Sequence, residues 1–362
     1  MVNPATALGQ IPRHIQGMTI RTKLAATVSS LCLILFLVVI FSATRGPVNI
    51  PFWDAMSILL ADIGLDVGTD YTRRAELVVD QIRLPRIITA GLVGMALGTA
   101  GAALQGLFRN PMADPGIIGV SAGGALGGVI VIVTGAATAH ILVTPAAALT
   151  GAFLAAFFVY GIGSIGGRFT LGVLILAGVA LSSFLSAMIT FILVNNSDPD
   201  AVREVLFWLS GGLDSRLWLH VRIIIGPILG GVLLIYAFAR ALNLMLLGEE
   251  SAQSLGVQVH RIRLILLAAA SIITGVAVSV SGIIAFVGLV VPHMMRLIVG
   301  PDHRVLIPVS ALGGAIFLIL ADTIARVIIS PAELRVGVIT SFVGAPFFIF
   351  LLINNRRRAD LL

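Results

Sequence analysis

The sequence predicts an all-α, polytopic membrane protein with about ten transmembrane helices, some of them short or broken. Three observations carry this reading. The 362-residue chain is 58% hydrophobic and 11% charged, with a mean hydropathy of +1.07, against about 25% charged residues in an ordinary soluble domain. Its apolar residues are gathered into long runs separated by short polar segments. Small residues crowd those runs: Gly91, Gly94, Gly98 and Gly101 in one, and Gly119, Gly123, Gly124, Gly127 and Gly128 in another. In lipid there is no hydrophobic gain between helices, so small faces that let backbones approach hold a bundle together.

Taken in order, residues 1–23 are polar, carry Arg13, Arg21 and Lys23, and read as an N-terminal tail. The apolar run 24–44 has spanning length, which favours a retained helix over a signal peptide with its shorter apolar region. Residues 45–82 form the longest loop, with a small amphipathic helix near 52–60. Spans are expected at 84–107, 116–134, 141–163 and 171–194. The turn Asn110-Pro111 to Asp114-Pro115 separates the second and third, because two prolines prevent helix continuation and Asp114 is a capping residue. A polar segment, 195–216, holds a short helix around 201–209. A span at 219–239 leads into a polar island, 240–263. Segments at 264–287, 289–299, 305–328 and 336–353 follow, and Arg356, Arg357 and Arg358 lie in a basic tail, 354–362. An even number of crossings puts both termini on one side. The basic N- and C-terminal clusters mark that side as cytoplasmic, and the island falls on it too.

The island reads as two short helices, 242–247 and 251–255. Gly248 ends the first, Glu249, Glu250 and Ser251 suit the positive N-terminal end of the second, and Gly256 closes it. A helix lying on lipid normally shows Lys and Arg on its polar face. This one shows Glu249, Glu250 and Gln253, which favours docking to a protein.

Several classes are excluded. Cys32 is the only cysteine and lies inside an apolar run, so there is no disulfide framework or cysteine metal site. Lys23 is the only lysine and is followed by Leu24, so the chain has no Walker A loop; any ATP-driven work needs a nucleotide held by another chain. The net charge of +6 marks topology and not nucleic-acid binding. No nucleophile–base pair supports an intramembrane hydrolase, and no catalytic residue or metal ligand set is assigned. His293, beside Pro292, lacks a second ligand at metal spacing. A secondary transporter would want several carboxylates inside the spans, and Asp322 near a helix end is nearly alone. Asp322 and Arg326 lie four residues apart, as an ion pair on one helix face does.

Together, several stretches resemble the permease subunits of ABC importers for iron siderophores, haem and cobalamin (type II importers). They are IRLPR at 82–86, LQGLFRNPMADPG at 104–116, LAGVAL at 176–181, the stretch from Gly282 through VPHMMR at 291–296, DHR at 302–304, LADTIAR at 320–326 and GAP at 344–346. The island also resembles the coupling motif Glu-Ala-Ala-x-x-x-Gly of importer permeases, reading ESAQSLG at 250–256 with Ser251 for the first Ala. The resemblance implies one permease domain, 24–353, in a homodimer within the bacterial cytoplasmic (inner) membrane. It implies two ATPase subunits docked on the coupling region at Leu247, Gly248, Glu249, Glu250, Ser251, Ala252 and Gly256. A substrate-binding protein would dock on the outer face at Arg83, Arg86 and Arg326. The inner gate would match Leu171 and Gly172, where related permeases can carry small hydroxylated residues, and the fifth and tenth spans would line the pathway. No permanently bound cofactor is implied; ATP is used by the partner subunits. The reading is a non-catalytic subunit importing an iron complex, siderophore or haem, with cobalamin as the alternative.

Overall fold

A computed structural model of the chain describes residues 19–62, 64–65, 71–164 and 171–359. Those residues form helices and no strand. Most of the N-terminal tail, Arg13 included, and Arg168 lie outside the described residues.

The helices are α1 (Ile20–Thr44), α2 (Phe52–Asp62), α3 (Arg73–Leu77), α4 (Leu84–Leu107), α5 (Val120–Val133), α6 (Val143–Gly163), α7 (Leu171–Val194) and α8 (Pro199–Leu209). After them come α9 (Trp218–Ala237), α10 (Ala239–Met245), α11 (Glu249–Ser254), α12 (Val259–Ser281), α13 (Val287–Val299), α14 (His303–Val327) and α15 (Val336–Ala359). Seven helical stretches are long and apolar enough to cross a membrane, and α5, α13 and α15 are shorter apolar helices that account for the remaining expected segments. Side-chain caps start several of them: Thr19 for α1, Thr72 for α3, Asp198 for α8 and Asp302 for α14. Each hydroxyl or carboxylate accepts a backbone N–H left without a helical partner.

The hub is α4, in which 83% of the most apolar window is buried. It packs against α14, α12, α9 and α13. Between α4 and α14 the backbones touch: a Cβ on Gly94 would lie 2.1 Å from the Gly314 carbonyl oxygen. Farther along, a Cβ on Gly101 would lie 1.8 Å from the Gly288 oxygen of α13. A turn of π-helix, Val78–Arg83, joins α3 to α4; Pro85, the second residue of α4, has no N–H to continue a regular ladder there. At the periphery, α1 is 6% and α7 22% buried over their most apolar windows.

Three boundaries differ from the sequence reading. The expected 116–134 span is a 3₁₀ turn, Pro115–Ile118, then Gly119 with φ +83°, then α5; Asp114 caps that turn by accepting from the Gly116 N–H at 2.7 Å. The expected 264–287 span begins early, at Val259, and ends at Ser281. Gly282 (φ +66°) breaks it, and the chain runs without helix to Phe286, itself at φ +67°. An apolar run bounded by such a break has no periodicity that separates it from helix. Lastly, α15 continues to Ala359, so Arg356–Arg358 extend a helix.

Inside α13, Pro292 removes the N–H that the Gly288 carbonyl would accept. The Gln105 amide of α4 donates instead to the Gly288 and Leu289 oxygens, at 3.4 and 3.1 Å.

One end of the bundle carries α10, α11, the last turn of α4 and the first turns of α12 and α14. Leu24, Val28 and Leu31 of α1 pack on Val305, Leu306 and Val309 at this same end. At the opposite end, α15 starts beside α8 and this non-helical run, with Gly337 against Ser210 and Ile283. The chain therefore enters and leaves the described bundle towards the island end.

Candidate functional site

At the island end the two short helices begin two to three residues earlier than the sequence suggested. Glu249 and Glu250 open α11, and Gly248 (φ +125°) stands before them. The carboxylates thus lie at the positive end of the helix dipole. Gly256, at φ +82°, lets the Val257 N–H return to the Ala252 oxygen at 3.0 Å, which ends the helix as only a residue without Cβ does easily.

Ala252 is fully buried and anchors α11, while Leu247 and Leu255 are 66% and 60% exposed. Glu250, Ser251 and Gln253 are exposed beside them. Glu249 is tied back to α12, accepting from Arg263 at 3.0 Å. The exposed surface is therefore two leucines rimmed by acid and amide, a mixed surface of the kind that protein interfaces use.

One contact here was not singled out in the sequence. Asn243 of α10 bonds the Asp302–His303 turn at the start of α14. Asp302 is also paired with Arg304 at 2.7 Å. Burial would raise the Asp302 carboxyl, but the bonds from Arg304 and Asn243 outweigh it and hold it at about 2. Asn243 is the one polar side chain between Arg240 and Gly248, and that isolation was the available signal.

At the opposite end the structure gathers Arg83, Arg86 and Arg326, and all three are buried, at 4%, 8% and 3% exposure. Arg86 reaches Asp322 of α14 at 2.8 Å and Glu333 at 2.7 Å. Arg326 reaches the other Asp322 oxygen at 3.0 Å, the four-residue pair read from the sequence, and also donates to Ser42 Oγ and the Arg45 carbonyl. Arg83 donates to the Ala43 and Val48 carbonyls and so holds the end of α1. Each guanidinium thus has partners within the chain. Glu333, the acid in contact with Arg86 whose side chain is 31% exposed, had no place in the sequence reading.

Beside this cluster lies a cleft of about 310 Å³ lined by Arg203, Phe207, Trp208, Asp214, Arg216 and Arg335 among others. Arg335 pairs with Asp214 and lies over the Phe207 ring, 4.6 Å from its centroid. Burial pushes the Arg216 guanidinium below its ordinary range, against the nearby Asp214 charge. Leu171 and Gly172 open α7; residues 165–170 before them lie outside the described residues. Leu171 packs on the core, and Gly172 faces open space. Among the described residues no group of His, Cys, Asp or Glu is arranged to hold a metal ion, His293 included.

This fold and these two ends define a multi-pass membrane protein, glycine-packed around a central helix, with exposed leucines rimmed by acid and amide at one end. Residues 33–354 match the profile of the FecCD transport family, and the chain belongs to that family of ABC importer permeases. It is 46% identical over 307 residues to the cobalamin import system permease protein BtuC of Halobacterium salinarum, covering 85% of this chain and 81% of that protein. It is 41% identical over 280 residues to the hemin transport system permease protein HmuU of Yersinia pestis, covering 76% and 83%. A solved structure described as a metal-chelate type ABC transporter in an inward-facing conformation superposes with a TM-score of 0.79 at 29% identity, over 90% of this chain and 98% of that one.

Proposed function

We propose that the chain is the membrane subunit of an importer that carries a bulky iron complex, siderophore or haem, intact across the cytoplasmic membrane. Two copies form the pathway, two ATPase subunits supply the energy, and an extracytoplasmic binding protein delivers the substrate. The observation that carries this reading is the family match over 33–354 together with a coupling-type helix, α11, presented at one end. Both α7 and the apolar part of α15 lack charged residues, and Leu176, Phe184, Phe191 and Phe342 are each more than half exposed. A pathway of that kind suits a chelate that keeps its own ligands. The second reading, cobalamin, is favoured by the 46% identity to a cobalamin permease. Uptake into vesicles holding the permease with its ATPase and binding protein separates the two. Uptake of an iron–siderophore or haem supports the first, uptake of cobalamin alone supports the second, and uptake of neither removes both.

On this reading the island end is cytoplasmic and both termini share that side. Residues Leu247 to Ser251 and Gly256 seat on the ATPase, with Ala252 holding α11 to the bundle from behind, and Leu171 with Gly172 forms the inner gate. Glu250→Ala combined with Gly256→Leu should leave the bundle folded, because Glu250 is exposed and nothing lies within 4 Å of a Gly256 Cβ. The second change puts a side chain at φ +82°, where it is strained, and so disturbs the end of α11. Stimulation of ATP hydrolysis by the loaded binding protein should fall sharply in proteoliposomes, and unchanged stimulation would remove the seating assignment.

The opposite end then receives the binding protein; Arg83 and Arg326 are buried on internal partners and shape that end, and Arg86, through Glu333, is the one of the three open to an incoming acid. Reversing the charge of Arg86 is not a clean test, since it would set a carboxylate against Asp322. Glu333 offers a better one, because its carboxylate occupies the position on Arg86 that an incoming acid would take. Glu333→Gln should raise affinity for the binding protein by up to about fivefold, the scale of one exposed ion pair, with the gain shrinking at high salt. Affinity unchanged at low salt would leave these arginines with a purely structural role.

A further inference from the structure

Asn243 makes three hydrogen bonds across to the turn that starts α14. Its Nδ2 donates to Asp302 Oδ1 at 2.6 Å. Its Oδ1 accepts the His303 backbone N–H at 2.9 Å and lies 2.8 Å from His303 Nδ1. Because the amide nitrogen faces a carboxylate, the amide orientation is fixed, and Nδ1 of the ring is the donor. The ring is 1% exposed, and its far edge is wedged against Gly106 in the last turn of α4, where a Cβ would fall 2.3 Å from Nε2. Nε2 itself has no hydrogen-bond partner among the described residues. The imidazole is therefore held by packing on α4 and by Asn243 on α10.

From this point α4 and α14 run together, backbone against backbone at Gly94 and Gly314, and finish at the Arg86–Asp322–Arg326 cluster. Close-packed helices of this kind transmit displacement, since a seam closed backbone to backbone has little room to compress. The other link from the island, Glu249 to Arg263, leads to α12 instead. Asn243 thus joins the short helices to a helix pair that reaches both ends of the bundle.

We propose that Asn243 is a positioning residue that passes movement of the coupling helix to the α4–α14 pair through Asp302 and His303. The proposal rests on the reading that α11 seats on an ATPase. It assigns Asn243 to transmission and not to docking, because its amide is turned into the bundle.

The test uses the complete complex of permease, ATPase and binding protein in proteoliposomes. In Asn243→Ala, ATPase affinity and basal hydrolysis should stay at wild-type values. Substrate transported per ATP hydrolysed should fall by about fivefold or more, the low end of ordinary coupling energies. Asn243→Asp alone sets two carboxylates against each other and should lose the same ratio. Adding Asp302→Ser supplies a hydroxyl that donates to the new carboxylate and still accepts the Arg304 N–H that starts α14, and should recover it. A wild-type transport ratio in Asn243→Ala overturns the proposal, as does loss of ATPase affinity in that variant, which would make Asn243 a docking residue. A folded double exchange that recovers nothing also overturns it, and this holds even if Asn243→Ala fails to fold. A wild-type permease that binds no ATPase shows itself before any variant is compared; it removes the seating of α11, and this proposal with it.

Discussion

Asp322→Ala should cost about 3–5 kcal/mol, the loss typical of breaking a buried ion pair from one side. Asp322 is 1% exposed and is shared by two guanidiniums from different helices. Without it, Arg86 keeps Glu333, but Arg326 keeps only neutral partners, Ser42 and the Arg45 carbonyl. A buried cation with no counter-charge is then left between α1, α4 and α14. Asp322→Asn, which keeps the shape and loses the charge, should fall between wild type and alanine. Replacing all three together, Asp322→Leu with Arg86→Met and Arg326→Leu, should lose much less than Asp322→Ala, because a buried ion network replaced by apolar side chains of similar volume is often neutral. Thermal unfolding of the detergent-solubilised permease checks all three. A melting temperature unchanged in Asp322→Ala would show that the cluster contributes nothing to the fold.

Gly101→Val should be comparably damaging for a steric reason. Its Cβ would lie 1.8 Å from the Gly288 oxygen and 2.8 Å from the Gly288 Cα, both backbone atoms that cannot rotate away. Overpacking a well-packed core typically costs about 1–3 kcal/mol, occasionally more. Here the forced separation of α4 from α13 also withdraws the Gln105 amide from the carbonyl that Pro292 leaves unpaired. The control lies within the same chain. Gly226 and Gly230 of α9 are glycines with nothing within 4 Å of a Cβ, and Ala there should be neutral or stabilising by about 0.5–1 kcal/mol. Folded yield and melting temperature of Gly101→Val against Gly226→Ala decide it; equal behaviour would mean that the α4–α13 contact is not formed.

The segments of this bundle were legible because a run of apolar residues is a one-dimensional signal, and the Gly-flanked Glu249-Glu250 pair was legible as a helix start for the same local reason. The Asp322–Arg326 pair was visible too, being four residues apart on one helix. Its third member was not. Arg86 lies 236 positions from Asp322, and only the packing of α4 on α14 brings them together. The same holds for Asn243 and Asp302, 59 apart, and for Gln105 and Gly288, 183 apart. The break at Gly282 was hidden for a different reason: Ile283, Ile284 and Phe286 are as apolar as the helix before them, and composition carries no record of a positive φ. The arginines were read as a surface feature because they sit at helix ends in a motif. Their burial follows from the carbonyls at the end of α1, which no motif contains.

From Gly282 to Phe286 the backbone is outside any helix. Hydrocarbon offers nothing to a peptide group outside a helix, so such a stretch persists in a spanning protein only inside other protein or beside a wet cavity. Trp208, Gly211 and Gly337 wall part of it. Ile283 and Ala285, however, also line a cavity of about 500 Å³ with Ser210, Ser341 and Phe342. That cavity leaves room for water beside peptide groups that no helix satisfies. The apolar wall of this protein is therefore interrupted at α12–α13, whereas α1 runs as one unbroken helix past the same depth.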